Sequence, residues 1–441
     1  MGLLNYFSMS KPSANVLSEE EGMRKLSKLR WQVFLAATIG YGMFYVCRLS
    51  LNVMKKPIVD AGIMSEGELG IIGSGLFITY AIGKFVNGFL ADRSNVRRFM
   101  AFGLLVSALI NLALGFTISF FIFMVLWALN GWVQSMGAAP CVVALSRWYD
   151  DKHRGTMYGF WSSSHNIGEA ITFVLTAFVV ALAGWQWGFR VAGLLGVLGV
   201  VLIALVLPDT PQSYGLRLNV SNESDSQDTS KIAECQRRVL LNPAVWMLAL
   251  GSAFMYVSRY AVSSWGIFYL EAGKGFTTLE AGTIISISSV CGILGTVSAG
   301  WLSDKLFGGR RNAPALILGL MNAVGLALFL FSPARSFYFA ATGMIIFGLA
   351  IGGLVCFLGG LMAVDICSKR ASGAALGVVG IASYIGAALQ DVVSGFMIQS
   401  SVKPLQGEAS YDFSMVVWFW LGSALLSVLC VLSVWKAGKS R

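Results

Sequence analysis

Two arginines stand inside long apolar runs of the chain, Arg48 within Tyr45-Val46-Cys47-Arg48 and Arg259 within Tyr256-Val257-Ser258-Arg259, 211 residues apart. A charge at the centre of a membrane helix costs about 2.5 to 3.5 kcal/mol on insertion scales, so such residues are functional candidates by default. Two guanidinium groups converging on one cavity repel each other unless an anion lies between them, and their planar forks match phosphate oxygens. Phosphate is the ligand this pair points to. Lys84 lies deep in its own apolar run, where snorkelling to the surface is difficult, and a third cation suits the same ligand; Thr296 stands at the matching place in the second half. His165, in Ser163-Ser164-His165-Asn166-Ile167-Gly168, belongs to the one side-chain type that titrates near neutrality when unperturbed, so an arriving phosphate dianion can change its charge. Glu169 follows four residues later on the same helix face, where the two can pair. It could offset the basic cluster, bind substrate hydroxyls or carry a proton, and Asp391 raises the same question. Tyr41, Tyr45, Tyr80, Tyr256 and Tyr384 offer hydroxyls to phosphate or sugar oxygens, the first two on the face of Arg48. Tyr45 and Tyr256 recur in the repeat, which sets them above aromatics that merely pack helices.

These residues need membrane helices to hold them. Of the 441 residues 56% are hydrophobic and 12% charged, far from the roughly one-quarter charge of a soluble domain. Twelve apolar runs are each long enough to cross a hydrocarbon core of about 30 Å as a helix. They cover 31–53, 68–91, 98–117, 120–145, 156–182, 188–207, 243–270, 277–302, 313–332, 336–365, 374–399 and 412–435. The 50 glycines suit close helix packing in lipid.

The net charge of +10 would suit a nucleic-acid partner, but its distribution argues for topology instead. With the N-terminus inside, 23 of the 32 Lys and Arg fall in segments on one side of the membrane, which is the positive-inside signature. Both termini and the central loop are expected in the cytoplasm. Residues 1–30 are polar and carry Glu19, Glu20 and Glu21, so no cleavable signal is expected there. The seven cysteines imply neither a disulfide framework nor a metal site. No metal or other cofactor is expected, nor an enzymatic activity, because no nucleophile and base set or nucleotide loop appears.

The one long polar interruption, 208–242, reads as a cytoplasmic linker between two bundles of six. Its Asn222-Glu223-Ser224 matches a glycosylation acceptor that a cytoplasmic location would leave unused. The expected division is a cytoplasmic segment 1–30, an N-terminal six-helix bundle 31–207, the linker, a C-terminal six-helix bundle 243–435 and a tail 436–441. Repeats support the duplication. Besides the two arginine motifs, Gly88-Phe89-Leu90-Ala91-Asp92-Arg93 answers Gly300-Trp301-Leu302-Ser303-Asp304-Lys305 at an offset of 212, and Lys152-His153-Arg154-Gly155 more weakly answers Lys369-Arg370-Ala371-Ser372-Gly373. Such internal symmetry is how many transporters build a midplane site between halves that rock alternately. In the paired turns, Asp92, Arg93, Asp304 and Lys305 can contact neighbouring helix ends, hold one conformation and part when the halves rock.

The Gly-x-Leu-x-Asp-Arg/Lys turns resemble the signature loop of the major facilitator superfamily. Together with Tyr45-x-x-Arg48, Gly83-Lys84-Phe85, Ala91-Asp92-Arg93-Ser94-Asn95, Ser164-His165-Asn166-Ile167-Gly168, Tyr256-x-x-Arg259 and Ser303-Asp304-Lys305-Leu306-Phe307, the chain resembles the organophosphate:phosphate antiporter family of that superfamily from about Leu29 to the end of the last span. This resemblance implies an all-α membrane protein of twelve helices in two pseudo-symmetric bundles, residing in the cell inner membrane among lipid. It implies exchange of a phosphorylated metabolite for inorganic phosphate, with the two arginines as clamp and Lys84 and His165 assisting. The chain departs from the family pattern at Leu49, Ala138, Glu169 and Leu354, all near the expected cavity. Since the family includes a hexose-phosphate sensor that works with a histidine kinase, a sensor is a second reading, and a proton-coupled organic anion symporter using Glu169 or Asp391 a third. One pair of bundles suffices as a monomer.

Overall fold

Apolar runs bounded by capping residues produce the helices directly. Asn95 accepts from the backbone N–H of Arg98 at 3.0 Å and starts one helix, Thr277 and Glu280 form a reciprocal capping box at the start of another, and Asn242 precedes a helix that opens on Pro243. The computed structural model describes residues 6–15, 17–216, 234, 237–307, 311–362, 366, 372–405 and 408–435. Among them are twelve helices long and apolar enough to span a membrane: α1 Glu20–Asp60, α2 Glu66–Arg93, α3 Val96–Leu114, α4 Phe120–Trp148, α5 Thr156–Ala183, α6 Trp185–Val206, α7 Pro243–Lys274, α8 Thr278–Ala299, α9 Asn312–Leu330, α10 Phe337–Gly359, α11 Ala374–Ser400 and α12 Ser414–Ser433. In each, only a third to two-thirds of the most apolar stretch is buried in the protein, so the remaining apolar surface requires lipid rather than water around it. This is a multi-pass membrane protein.

The helix count expected from the sequence holds, with one difference at α1. The first apolar run ends near Val53, yet the helix continues to Asp60 and carries Pro57 within it. Lys55 and Lys56 are therefore helical residues and not part of a loop. Two single turns of π-helix, Ala261–Trp265 in α7 and Phe357–Leu361 at the end of α10, widen their helices locally. Between α11 and α12 the chain forms an antiparallel hairpin, β1 Val402–Leu405 and β2 Glu408–Tyr411, paired from Val402↔Tyr411 to Leu405↔Glu408. It brings the Tyr411 hydroxyl to donate to Glu66 Oε1 at 2.7 Å.

Two compact units emerge, and neither follows chain order. One gathers the described residues of Met1–Ser50, Thr79–Thr172 and Trp185–Glu223; the other gathers those of Leu51–Ile78, Phe173–Gly184 and Ser224–Arg441. The second unit thus takes in the C-terminal ends of α1 and α5 and the N-terminal end of α2. Inside the first unit, a strap of N-terminal residues crosses the ends of α2 and α3. Phe7 O accepts from Asn95 N at 2.7 Å, and the buried Asp209 accepts from Ser10 N, Val96 N and Arg147 Nη1. The greater part of the 208–242 linker, with Asn222-Glu223-Ser224, and the tail 436–441 lie outside the described residues, as do the side chains of Lys152 and Arg154 and the residues Lys369 and Arg370.

Candidate functional site

In the first unit, α1 and α5 approach through glycine. A Cβ on Gly168 would lie 2.6 Å from Gly42 O and 2.9 Å from Tyr45 Cβ, so only hydrogen fits there. That closeness sets Tyr45 beside His165, ring centroids 5.8 Å apart. Tyr41 continues the cluster, 5.5 Å from Tyr45 and 5.1 Å from Trp161. One turn further along α1, the Arg48 guanidinium lies 4.1 Å above the Tyr80 ring and 5.5 Å from the Tyr45 ring. Aromatic faces stabilise a desolvated cation, which suits Arg48, only 3% exposed. Lys84 stands one turn beyond Tyr80 on α2 and is exposed, and Glu169 is buried on α5 one turn beyond His165.

The turn of α1 that carries Arg48 is fixed from behind by a buried amide network. Cys47 O accepts from Asn111 Nδ2 at 2.9 Å and from Asn130 Nδ2 at 3.1 Å, while Ser50 donates to Asn111 Oδ1 at 2.7 Å. Ser107 and Gln134 complete it, Ser107 Oγ donating to Asn130 Oδ1 at 2.6 Å and Gln134 Nε2 to Ser107 Oγ at 2.8 Å. These supports escape a search for intramembrane charges, because amides are neutral.

The second unit repeats the design with changes. The Arg259 guanidinium lies 5.8 Å from the Tyr256 ring and 5.7 Å from that of Tyr260, and Tyr256 meets Tyr384 at 5.6 Å. Gly386 allows that meeting, since a Cβ there would be 2.6 Å from Ala253 O. Behind Arg259, Asn322 Nδ2 donates to Ser258 Oγ at 3.3 Å. Asn322 follows Asn111 by 211 residues and Ser258 follows Cys47 by the same interval, so each arginine is backed by an asparagine from the third helix of its half. The repeat at that offset was the signal that could have found them. Arg259 is half-buried where Arg48 is buried.

Of the turn residues, Asp92 and Arg93 end α2 with exposed side chains, and Arg147 Nη2 donates to the backbone carbonyl of Asp92 at 2.9 Å. Lys305 is exposed; Asp304 lies in the helix Thr278–Leu306, with its side chain outside the described residues. Asp391 has a partner that sequence reading missed: Lys55 Nζ donates to its Oδ1 at 2.8 Å, both groups being buried. No three His, Cys, Asp or Glu among the described residues are placed to hold a metal ion.

Twelve spanning helices, with an arginine backed by a buried asparagine at duplicated positions, belong to a polytopic transporter and not an enzyme. The family model of the Major Facilitator Superfamily matches residues 33–390. The chain is 34% identical to the membrane sensor protein UhpC of Salmonella typhimurium, over 82% of this chain and 83% of that one. It is 33% identical to a probable hexose phosphate transport protein of Chlamydia pneumoniae, over 98% and 97%. In fold it superposes on the crystal structure of a bacterial homolog of the human lysosomal transporter Spinster with a TM-score of 0.72 at 18% identity, covering 94% of this chain and 97% of that one. The chain belongs to the organophosphate:phosphate antiporter family of the Major Facilitator Superfamily.

Proposed function

We propose that this protein is a secondary transporter of phosphate esters that exchanges a phosphorylated organic metabolite, such as a sugar phosphate, glycerol phosphate or phosphoglycerate, for inorganic phosphate by alternating access. The observation that carries this reading is the duplicated arginine: Arg48 on Tyr80 and Arg259 beside Tyr256, each backed by an asparagine. The name of the chlamydial relative points to the same substrate class. In this reading Arg48 and Arg259 take the phosphate group together, His165 and Lys84 add positive charge, and Tyr41, Tyr45, Tyr80, Tyr256, Tyr384 and Glu169 contact the ester or orient the cations. Exchange is obligatory because only the occupied site neutralises the arginines well enough for the bundles 31–207 and 243–435 to rock. Asp92, Arg93, Asp304 and Lys305 part in that motion. The protein works as a monomer in the inner membrane with both termini in the cytoplasm.

A second reading has an observation of its own, the 34% identity to a protein named a membrane sensor. It would bind hexose phosphate with the same clamp and signal through a histidine-kinase partner. Proton-coupled symport loses one of its carriers, because Asp391 is already matched by Lys55 and Ser264. The test is efflux of labelled phosphate from phosphate-loaded liposomes containing the pure protein, against a panel of external organophosphates. Efflux that requires an external organophosphate supports exchange. Binding with no flux points to the sensor, and uptake driven by a proton gradient without internal phosphate sinks the antiport reading.

A further inference from the structure

Lys55 and Asp391 stand 336 residues apart in sequence and touch in the second unit. Lys55 is fully buried and Asp391 is 1% exposed. Lys55 Nζ donates to Asp391 Oδ1 and to Ser264 Oγ, both at 2.8 Å, and lies 3.7 Å from the Trp265 ring. Ser264 Oγ in turn donates to Asp391 Oδ1 at 2.7 Å. Ser264 and Trp265 come from the π-helical turn of α7, a feature frequent at functional sites. One turn earlier on α1, Asn52 Nδ2 donates to Ser263 O at 2.9 Å in the same turn.

The neighbouring seam between α2 and α11 is shaped for this carboxylate. A Cβ on Gly73 would fall 1.7 Å from Asp391 Oδ2, so the carboxylate occupies the space of the missing side chain. Gly70 packs on the Asp391 carbonyl and on Gly395, and Gly67 N donates to Gln399 Oε1 at 3.1 Å. The ends of α1 and α2 are thereby clasped to α7 and α11.

A buried ion pair is a poor choice for stability alone, since desolvation of both charges offsets their attraction and apolar side chains of similar size often serve as well or better. Its physical advantage lies in separation. When the contact opens, both charges regain water, whereas an apolar contact would expose its surface at full cost. We infer that Lys55 and Asp391 form a gate latch, which holds the ends of α1 and α2 against α7 and α11 in this state and parts once in every transport cycle. The inference deepens the exchange reading and rests on it for the cycle, though not for the latch itself.

The test places a cysteine at Ser263, a buried neighbour of the latch, in the full-length protein in nanodiscs. Its reaction with a membrane-impermeant maleimide is followed by peptide mass, with buried native Cys141 as the internal control. Position 263 should be protected in the otherwise native protein. It should react about tenfold faster or more in Lys55→Ala and in Asp391→Asn, Cys141 staying protected, because each variant strands one buried charge. The exchanged pair Lys55→Asp with Asp391→Lys should restore protection. The apolar pair Lys55→Met with Asp391→Leu should keep position 263 protected and slow transport, which a merely structural contact would not do. Unchanged labelling in both single variants, or native flux in the apolar pair, overturns the latch. If the native protein exchanges nothing while labelling responds as described, the latch stands and the antiport reading falls.

Discussion

Replacing Asn111 with alanine should loosen the turn of α1 that carries Arg48, whereas the same change at Asn322 should cost little. Asn111 is fully buried and makes three hydrogen bonds: Nδ2 to Cys47 O and to Ser107 O, both 2.9 Å, and Oδ1 from Ser50 Oγ at 2.7 Å. Cys47 O keeps Asn130, but the Ser50 hydroxyl loses its acceptor in a place water does not reach. An orphaned buried hydroxyl costs about 1 to 3 kcal/mol. Interhelical hydrogen bonds in lipid average about 0.6 kcal/mol each, and the vacated volume adds to the loss. The sum is about 2 to 4 kcal/mol for Asn111→Ala. Asn322 makes one longer bond, 3.3 Å, to Ser258 Oγ, and its own Oδ1 meets no donor, so Asn322→Ala should cost about 0.5 kcal/mol. Thermal unfolding in nanodiscs reads the stability, and calorimetric titration with hexose phosphate reads the effect on the clamp. Adding Ser50→Ala to Asn111→Ala should recover part of the loss by removing the stranded donor. Equal destabilisation by the two asparagine variants, or no recovery with Ser50→Ala, would refute the reasoning.

Arg48→Lys should weaken organophosphate binding by about 10- to 100-fold, since a point charge replaces a planar fork stacked on Tyr80; competition binding measures it, and Arg259→Lys should do the same. Gly168→Ala sets a methyl against the backbone of Gly42 and should cost about 1 to 3 kcal/mol while separating Tyr45 from His165, whereas Gly159→Ala, with open space around it, should be silent in the same melting and binding assays. Burial and the hydrogen bond to Glu66 hold the Tyr411 hydroxyl above its ordinary range. Its contribution to stability is therefore complete below about pH 10 and falls as the pH rises beyond that value. Tyr411→Phe should flatten that alkaline decline and lower stability at neutral pH by about 1 kcal/mol, because buried Glu66 loses a donor, as denaturant titrations from pH 7 to 11 would show.

Much of the candidate site was legible without coordinates, because its signals are local or periodic. An apolar run long enough to span lipid needs no partner to be recognised, and a charge within it is conspicuous because lipid penalises it. Arg48 and Arg259 stood out for that reason, and the 211-residue offset that pairs them also pairs Asn111 with Asn322. Lys55 was less visible: beside Lys56 and two residues before Pro57, it marks the end of an apolar run and reads as loop. Its burial follows from an aspartate 336 residues away that offers a counter-charge and from a glycine on α2 that offers the space. Composition and spacing along the chain determined the twelve helices, the duplication and the basic centre of each half. Only the tertiary structure decided that Tyr80 lies under Arg48, that Tyr45 meets His165 across Gly42 and Gly168, and that Asp391 answers Lys55. Each of those depends on which helix faces come within van der Waals reach, and close packing across helices is not encoded by any one of them.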